Sequence, residues 1–242
     1  MKTIIFDLDN TLIECGKYYK QAMQAVVLHL VTATQLPEDL VFEMVEHVDL
    51  AGTVLQDGWQ RWRFPRACAA ASYALDGLQG QQPDVRRAAH VQAIAERVFD
   101  APYEMYDGVE ELLTKLRREE WQLAILTKGD TDVQLRKLHQ LIPYVDSVKI
   151  VPKKSADVLK RYIEELHATM RDTWVVGDSM KDDIYPAHHL GLQAAWVCNP
   201  SSHWGYEDAE PYGYTLRVDA VTELGRNFRF IPFRRKQQPV QA

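Results

Sequence analysis

The sequence predicts an α/β protein with a Rossmann-like parallel sheet core and an all-helical segment inserted after the first strand. The stretch IIFDLDNTLI (4–13) begins as an apolar strand, whereas the next strand patterns appear only beyond residue 120. From there, strands alternate with amphipathic helices, which is typical of βαβ units and a parallel sheet. Between these two regions, apolar residues recur at spacings of three and four, the period of a helix.

The inserted segment, residues 15–104, is predicted to contain about four helices and no strands. Pro37 followed by Glu38 is typical of a helix start. The stretch DGLQGQQPD (76–84) is typical of a loop between helices. We therefore expect residues 15–104 to form a separate helical cap domain.

The core domain is then predicted from residues 1–14 and 105–242. Its first strand covers residues 3–6, where the chain is apolar. The later predicted elements are helix 109–119, strand 123–127, helix 131–140, strand 147–151, helix 155–168, strand 173–178, helix 182–190 and strand 193–197.

The composition of the chain argues against nucleic acid and membranes as binding partners. The chain has 242 residues, 46% of them hydrophobic, and a net charge of −6, so it can bury a large core and carries no charge bias toward nucleic acid. The basic cluster at 234–236 is interpreted as a solvated tail. No uncharged apolar stretch approaches the roughly 20 residues that cross a membrane, so we expect no membrane partner.

The three cysteines, Cys15, Cys68 and Cys198, are far apart and form no CxxC motif. Their number and spacing indicate neither a disulfide framework nor a zinc site. A reducing compartment fits this pattern, so we expect a cytoplasmic protein.

Polar side chains lie at, or just beyond, the ends of four of the predicted strands. In an open parallel sheet, the carboxyl ends of the strands are where ligands bind, and a strand end at a site explains why two acids directly follow a buried strand. The residues are Asp7 and Asp9, Thr127 and Lys128, Lys153 and Lys154, and Asp178 with Asp182 and Asp183.

These residue types predict phosphoryl chemistry. Converging carboxylates repel one another and need a divalent cation, and Mg²⁺ suits oxygen ligands and shares its shell with phosphates. A hydroxyl, backbone N–H groups and a lysine complete an anion pocket. One carboxylate can attack phosphorus, while a second acts as a proton donor.

The ordered motifs DLDNT, LTKG, PKKS and GDSMKDDI, which span residues 7–183, resemble those of the haloacid dehalogenase superfamily of phosphohydrolases. The later stretch AHHLGLQAAWV also resembles the helix and strand that follow the last motif in that family. Residues 15–104 resemble its helical cap of the first type. The resemblance implies an Mg²⁺-dependent phosphatase that acts on a small phosphorylated metabolite through an aspartyl-phosphate.

The resemblance also assigns catalytic and metal-binding roles. Asp7 resembles the nucleophile and a metal ligand, and Asp9 resembles the general acid/base, with its backbone carbonyl as a second metal contact. Asp178 and Asp183 resemble the acids that bind the metal or its waters. Thr11 resembles the residue that fixes the turn of the first motif.

Substrate binding is assigned in the same way. Thr127 resembles the phosphate-binding hydroxyl, with the amide of Lys128 beside it. The active-site lysine is Lys153 or Lys154 by its spacing to the next helix, and we favour Lys154 because a small polar residue follows it. The Lys128 side chain is expected to face solvent rather than an anionic substrate.

Three other functions fit parts of this pattern. A phosphomutase shares the full set of motifs, and its phosphoenzyme would not be hydrolysed rapidly. A haloacid dehalogenase needs the nucleophile but no metal, and that branch lacks an acid at the position of Asp9. A non-catalytic binding protein is disfavoured because the nucleophile and lysine are both present.

Two surface features receive structural interpretations. In WQRWRFPR (59–66) we expect Trp59 and Trp62 to pack in the cap core while the arginines face outward, the alternative being an arginine that binds substrate. Asp182 is expected to be a solvated helix residue.

Overall fold

A computed structural model of the chain describes residues 2–55, 59–198 and 212–227. Six parallel strands form one sheet: β1 (Thr3–Phe6), β2 (Gln122–Lys128), β3 (Ser147–Val151), β4 (Thr173–Gly177), β5 (Gln193–Val197) and β6 (Leu216–Val218). Their spatial order is β3-β2-β1-β4-β5-β6. The predicted α/β class is confirmed, and the basic cluster at 234–236 lies outside the described residues.

Helices flank the sheet and fill the segment between β1 and β2. The helices of that segment are α1 (Gly16–Thr34), α2 (Glu38–Leu55), α3 (Arg63–Leu78) and α4 (Val85–Glu96). The remaining helices are α5 (Val109–Arg118), α6 (Thr131–Leu138), α7 (Ala156–Glu165), α8 (Tyr185–His189) and α9 (Leu224–Asn227), with a π-helical turn at Met180–Ile184 before α8. Within the described ranges, none of these helices has the length and apolar composition needed to span a membrane.

The predicted elements are found with ends that differ by up to three residues. The predicted loop at 76–84 was wrong in its first part, because α3 continues to Leu78. Asp76 lies in that last turn, where its buried carboxylate pairs with Arg87 of α4 and holds the helix in register. Strand β6 was not predicted, since three residues of partly exposed chain give too short a pattern.

Strand β1 lies at the centre of the sheet because both of its faces are apolar. Thr3 lies opposite Gln122 of β2 and Thr173 of β4. Successive side chains of a strand point to opposite faces, so Ile4 and Ile5 enter different hydrophobic cores. The first core includes Leu113 and Leu116 of α5, and the second includes Ile163 of α7 and Ile184.

Helices α1 to α4 bury a third apolar core, which includes Val26, Leu30, Phe64, Leu75 and Val91. No strand occurs in the described part of residues 15–104, as predicted. The division of the chain into a core and a cap domain at these boundaries stays a prediction.

Two adjacent connections join this helical segment to the sheet. Ile13 forms an antiparallel bridge with Met105, and the Glu14 N–H donates to the Glu104 carbonyl at 2.9 Å. The first connection is shaped by Asn10, whose left-handed backbone (φ 61°) is one that asparagine tolerates well. Its side-chain oxygen accepts from the Gly16 N–H at 2.7 Å and so fixes the start of α1.

Candidate active site

A buried lysine joins two carboxylates at the carboxyl edge of the sheet. Asp7 directly follows β1, Lys154 lies beyond β3, and Asp183 lies in the π-helical turn beyond β4. The Lys154 ammonium is 2.5 Å from Asp7 Oδ1 and 2.7 Å from Asp183 Oδ1. Lys153 is exposed. The structure therefore brings Lys154, and not Lys153, to the two acids.

The electrostatics of this group leave negative charge only partly compensated. Burial raises the pKa of Asp7 and of Asp183, and the Lys154 ammonium opposes that rise without cancelling it. Burial acts to lower the pKa of Lys154, but the two carboxylates outweigh it and raise that pKa, so the lysine stays charged. Two acids thus share one ammonium, an arrangement that favours a further cation.

Asp178 completes a cluster of oxygen donors. Asp7, Asp178 and Asp183 each present one carboxylate oxygen, and these oxygens lie within 4.8 Å of one another. Hard oxygen donors at this spacing fit a small hard cation such as Mg²⁺. The three side chains that the sequence predicted as metal ligands through their carboxylates are therefore brought together.

The position of Asp183 depends on a glycine at the end of β4. A Cβ built on Gly177 would lie 2.6 Å from the Asp183 Cβ, closer than real Cβ contacts occur. The Ser179 N–H donates to Asp183 Oδ2 at 3.2 Å and holds the carboxylate from the other side. The wider π-helical turn then directs Asp183 back toward the strand end.

Asp9 lies beside this cluster with different partners. Its Oδ1 accepts from the Lys137 ammonium at 2.8 Å, and its Oδ2 accepts from Gln134 Nε2 at 2.9 Å. Burial alone raises the pKa of Asp9, but Lys137 and the two hydrogen bonds outweigh it and lower that pKa. The Asp9 carboxyl group is thus held ionised in this arrangement.

Neither Gln134 nor Lys137 was predicted from the sequence. Both are buried on α6, three residues apart on one helix face. A buried glutamine and lysine in an amphipathic pattern resemble an ordinary polar face, so the sequence carried no signal that this face meets Asp9.

The Thr127 hydroxyl and the Lys128 ammonium occupy the end of β2. Gln134 Nε2 lies 2.6 Å from Thr127 Oγ, which is buried. The expectation that Lys128 faces solvent was wrong, because its half-buried ammonium pairs with Asp182. The expectation that Asp182 is a solvated helix residue was also wrong, because its carboxylate pairs with Lys128 and only 14% of its side chain is exposed.

The interpretation of residues 59–66 was wrong for both tryptophans and for Arg63, whereas Arg66 is exposed as expected. Trp59 and Trp62 are 38% and 37% exposed, whereas Arg63 is buried. Arg63 pairs with Asp49 of α2 and also donates to the Asp49 carbonyl at 2.9 Å. This buried acid draws the arginine inward. Trp59 covers the guanidinium, with 4.5 Å from its ring centroid to the Arg63 carbon.

Trp59 also faces the predicted site. The Lys128 ammonium lies 5.1 Å from the centroid of the Trp59 ring, within the range of a cation–π contact. A residue from the helical segment therefore lies against a residue at the end of β2.

The turn after β1 is held by the backbone. The Leu8 carbonyl accepts from the Leu12 N–H at 2.9 Å, while the buried Thr11 hydroxyl has no hydrogen-bond partner among the described residues. The turn-fixing role predicted for Thr11 is therefore not visible as a side-chain hydrogen bond.

Comparison with known proteins points to one family. The model of the haloacid dehalogenase-like hydrolases matches residues 1–191. A glyceraldehyde 3-phosphate phosphatase of Pyrococcus abyssi is 24% identical over 209 residues, covering 81% of each chain.

Two solved structures share the fold. A haloacid dehalogenase-like family hydrolase from Xanthomonas campestris has a TM-score of 0.75 at 19% identity, covering 95% of this chain and 91% of its own. The HAD-hydrolase YfnB from Bacillus subtilis, solved bound to magnesium, has a TM-score of 0.63 at 18% identity, covering 95% of this chain and 99% of its own.

Proposed function

This chain belongs to the haloacid dehalogenase-like hydrolases, and from that premise we propose that it is an Mg²⁺-dependent phosphatase that hydrolyses a small phosphorylated metabolite. The observation that carries the proposal is the cluster of Asp7, Asp178 and Asp183 with Lys154 at the carboxyl edge of the sheet. This combination suits a nucleophilic carboxylate and an anionic substrate group.

In the first step, a carboxylate oxygen of Asp7 attacks phosphorus and the bond from phosphorus to the ester oxygen breaks. The leaving oxygen takes a proton from Asp9, and the phosphoryl group remains on Asp7 as an acyl phosphate. Since Asp9 is held ionised by Lys137 and Gln134 in the described arrangement, it must leave those contacts and take up a proton before it can donate one. That proton comes from solvent in the first cycle and from the attacking water of the second step in later cycles.

In the second step, Asp9 accepts a proton from water while the water oxygen attacks phosphorus. The bond from phosphorus to Asp7 breaks, inorganic phosphate is released, and the Asp7 carboxylate is restored. Thr127 and the Lys128 amide are proposed to bind the phosphoryl oxygens, with Lys154 neutralising their charge.

Mg²⁺ is the proposed cofactor. Asp7, Asp178 and Asp183, together with the backbone carbonyl of Asp9, would hold it, and it would neutralise charge on the transferring phosphoryl group. The donor set of this chain supports a hard divalent cation, and a structural neighbour was solved with magnesium bound.

The substrate is proposed to be a small phosphate ester. A relative that covers most of this chain is a glyceraldehyde 3-phosphate phosphatase, so a triose phosphate is the first candidate to test.

Residues 15–104 are proposed to act as a cap that shields the site from bulk water during turnover, and the contact between Trp59 and Lys128 supports this placement. The three cysteines are unpaired, which supports a cytoplasmic location.

The test is phosphate release from a panel that includes glyceraldehyde 3-phosphate and p-nitrophenyl phosphate. We expect release with Mg²⁺ and none with EDTA, and we expect Asp7→Asn to abolish release while its circular dichroism stays native. Full activity in EDTA would contradict the metal proposal. Activity retained by a folded Asp7→Asn variant would contradict the assignment of the nucleophile.

A further inference from the structure

A second buried lysine lies at the edge of the candidate site. Lys137 of α6 is 3% exposed, and its ammonium is 2.8 Å from Asp9 Oδ1. The same ammonium is 3.4 Å from Cys15 Sγ and 4.7 Å from the centroid of the Tyr103 ring. A buried ammonium is costly unless it is paired, so these contacts determine where Lys137 can lie.

Two of these contacts belong to the connections between the helical segment and the sheet. Cys15 directly precedes α1, and Tyr103 lies between the 3₁₀ turn at Arg97–Asp100 and the bridge at Met105. The Tyr103 hydroxyl donates to the Val98 carbonyl at 2.6 Å, which ties this ring to the end of the helical segment. Lys137 therefore contacts both connections and Asp9 at once.

Gln134 restrains the other oxygen of the same carboxylate. Its Nε2 is 2.9 Å from Asp9 Oδ2, 2.6 Å from Thr127 Oγ and 3.2 Å from the Lys128 carbonyl. Asp9 is thus held from α6 at both oxygens. Of the two α6 side chains that donate to Asp9, Lys137 is the one that also contacts Cys15 and Tyr103 in the two connections.

We propose that Lys137 is a positioning residue that sets the placement of the Asp9 carboxylate and couples it to the two connections of the helical segment. The inference rests on the proposed function, in which Asp9 activates water in the second step. A displacement of either connection moves the surroundings of the Lys137 ammonium, and with it the carboxylate that the ammonium holds.

The test separates the two chemical steps with p-nitrophenyl phosphate. Its leaving group departs without a proton, so release of p-nitrophenol in the first turnover reports attack by Asp7, whereas steady turnover reports hydrolysis of the phosphoenzyme. We expect Lys137→Met to keep a burst of p-nitrophenol and to lower kcat by roughly 10-fold to 100-fold, since a misplaced base slows only the second step.

Lys149→Met is the matched control. Lys149 also pairs with a carboxylate, since its ammonium is 2.5 Å from Glu165, but it has no contact with Asp9. The kcat of the Lys149→Met variant should therefore stay within about twofold of the parent value. Asp9→Asn should show the same burst and slow turnover as Lys137→Met. Lys137→Gln, which keeps a hydrogen-bond donor, provides a second variant if the methionine variant fails to fold by circular dichroism.

Two outcomes overturn the inference: an unchanged kcat in the folded Lys137 variants, or a burst that falls together with the steady rate. The second outcome would indicate general damage to the site rather than misplacement of Asp9. Failure of the proposed function has a different signature, because the parent protein itself would then release no phosphate from p-nitrophenyl phosphate with Mg²⁺.

Discussion

At the scale of single residues, the site depends on a charge balance between acids and lysines that the chain buries together. Lys154 and Lys137 are each nearly inaccessible, and each is paired with a carboxylate beside the end of β1. Burying either charge alone would cost several kcal/mol. Their pairing therefore indicates that the positions of Asp7 and Asp9 are determined by lysines from other parts of the chain.

The choice between the two adjacent lysines gives a direct prediction. Lys154→Ala should lower kcat/KM by about 100-fold or more, because it removes the charge opposite the phosphoryl group. It should also destabilise the fold by roughly 3 kcal/mol, because Asp7 and Asp183 then remain buried with no ammonium between them. Kinetics and thermal denaturation measure the two effects.

Lys153→Ala is the matched control, since its side chain is exposed and no buried acid depends on it. Both its kcat/KM and its thermal midpoint should stay close to those of the parent protein. A larger kinetic loss from Lys153→Ala than from Lys154→Ala would reverse the assignment of the active-site lysine.

The sequence could predict that several polar side chains meet at one edge of the sheet, but it could not predict their contacts. Asp7, Thr127 and Asp178 could be placed together because each lies at or directly after the carboxyl end of a parallel strand, and these ends share one edge of the sheet. Gln134 and Lys137 could not, because their role depends on how α6 is rotated against the sheet. Arg63 was placed on the wrong side because its partner, Asp49, lies on another helix and leaves no local pattern.

At the scale of elements, the central strands and their helices could be predicted because their apolar patterns are long. Strand β1 is buried on both faces, and α5 carries a buried stripe that includes Leu113 and Leu116. The end of α3 was missed because Gly77 and Gln79 resemble a loop in composition, while a long-range ion pair from Asp76 keeps the helix intact. Tertiary contacts of this kind override local propensity.

The junction between β4 and the π-helical turn gives the second prediction. Gly177→Ala should destabilise the fold by about 1–3 kcal/mol, because the added Cβ would overlap the Asp183 side chain and displace it. The same displacement moves a carboxylate out of the donor cluster, so phosphate release should also fall.

Gly191→Ala provides the contrasting variant, because a Cβ there meets no atom within 4 Å although the backbone has φ +70°. It should lose some stability from backbone strain while its kinetics at saturating Mg²⁺ stay unchanged. If Gly177→Ala bound Mg²⁺ and turned over substrate like the parent protein, the proposed dependence of Asp183 on this glycine would be wrong.

At the scale of the whole molecule, the candidate site joins parts of the chain that are distant in sequence. The donor cluster draws on the ends of β1 and β4, Lys154 follows β3, and Trp59 reaches Lys128 from the helical segment. A ligand that binds this cluster therefore stabilises contacts between separate elements. Binding should then be visible as global stability, without any assay of turnover.

The third prediction uses this link for the metal. Mg²⁺ at about 100 times its dissociation constant should stabilise the native state by roughly 2.7 kcal/mol, which raises the thermal midpoint of a chain of this size by about 5–10 °C. Calorimetry with MgCl₂, against NaCl of equal ionic strength, measures the shift.

The Asp178→Asn variant should lose most of this shift, because one of the three carboxylates is removed. The Asp146→Asn variant is the control and should retain the shift, because Asp146 pairs with Arg117 and lies outside the cluster. An equal shift in both variants would show that Mg²⁺ acts elsewhere on the chain, and the three carboxylates would then need another explanation.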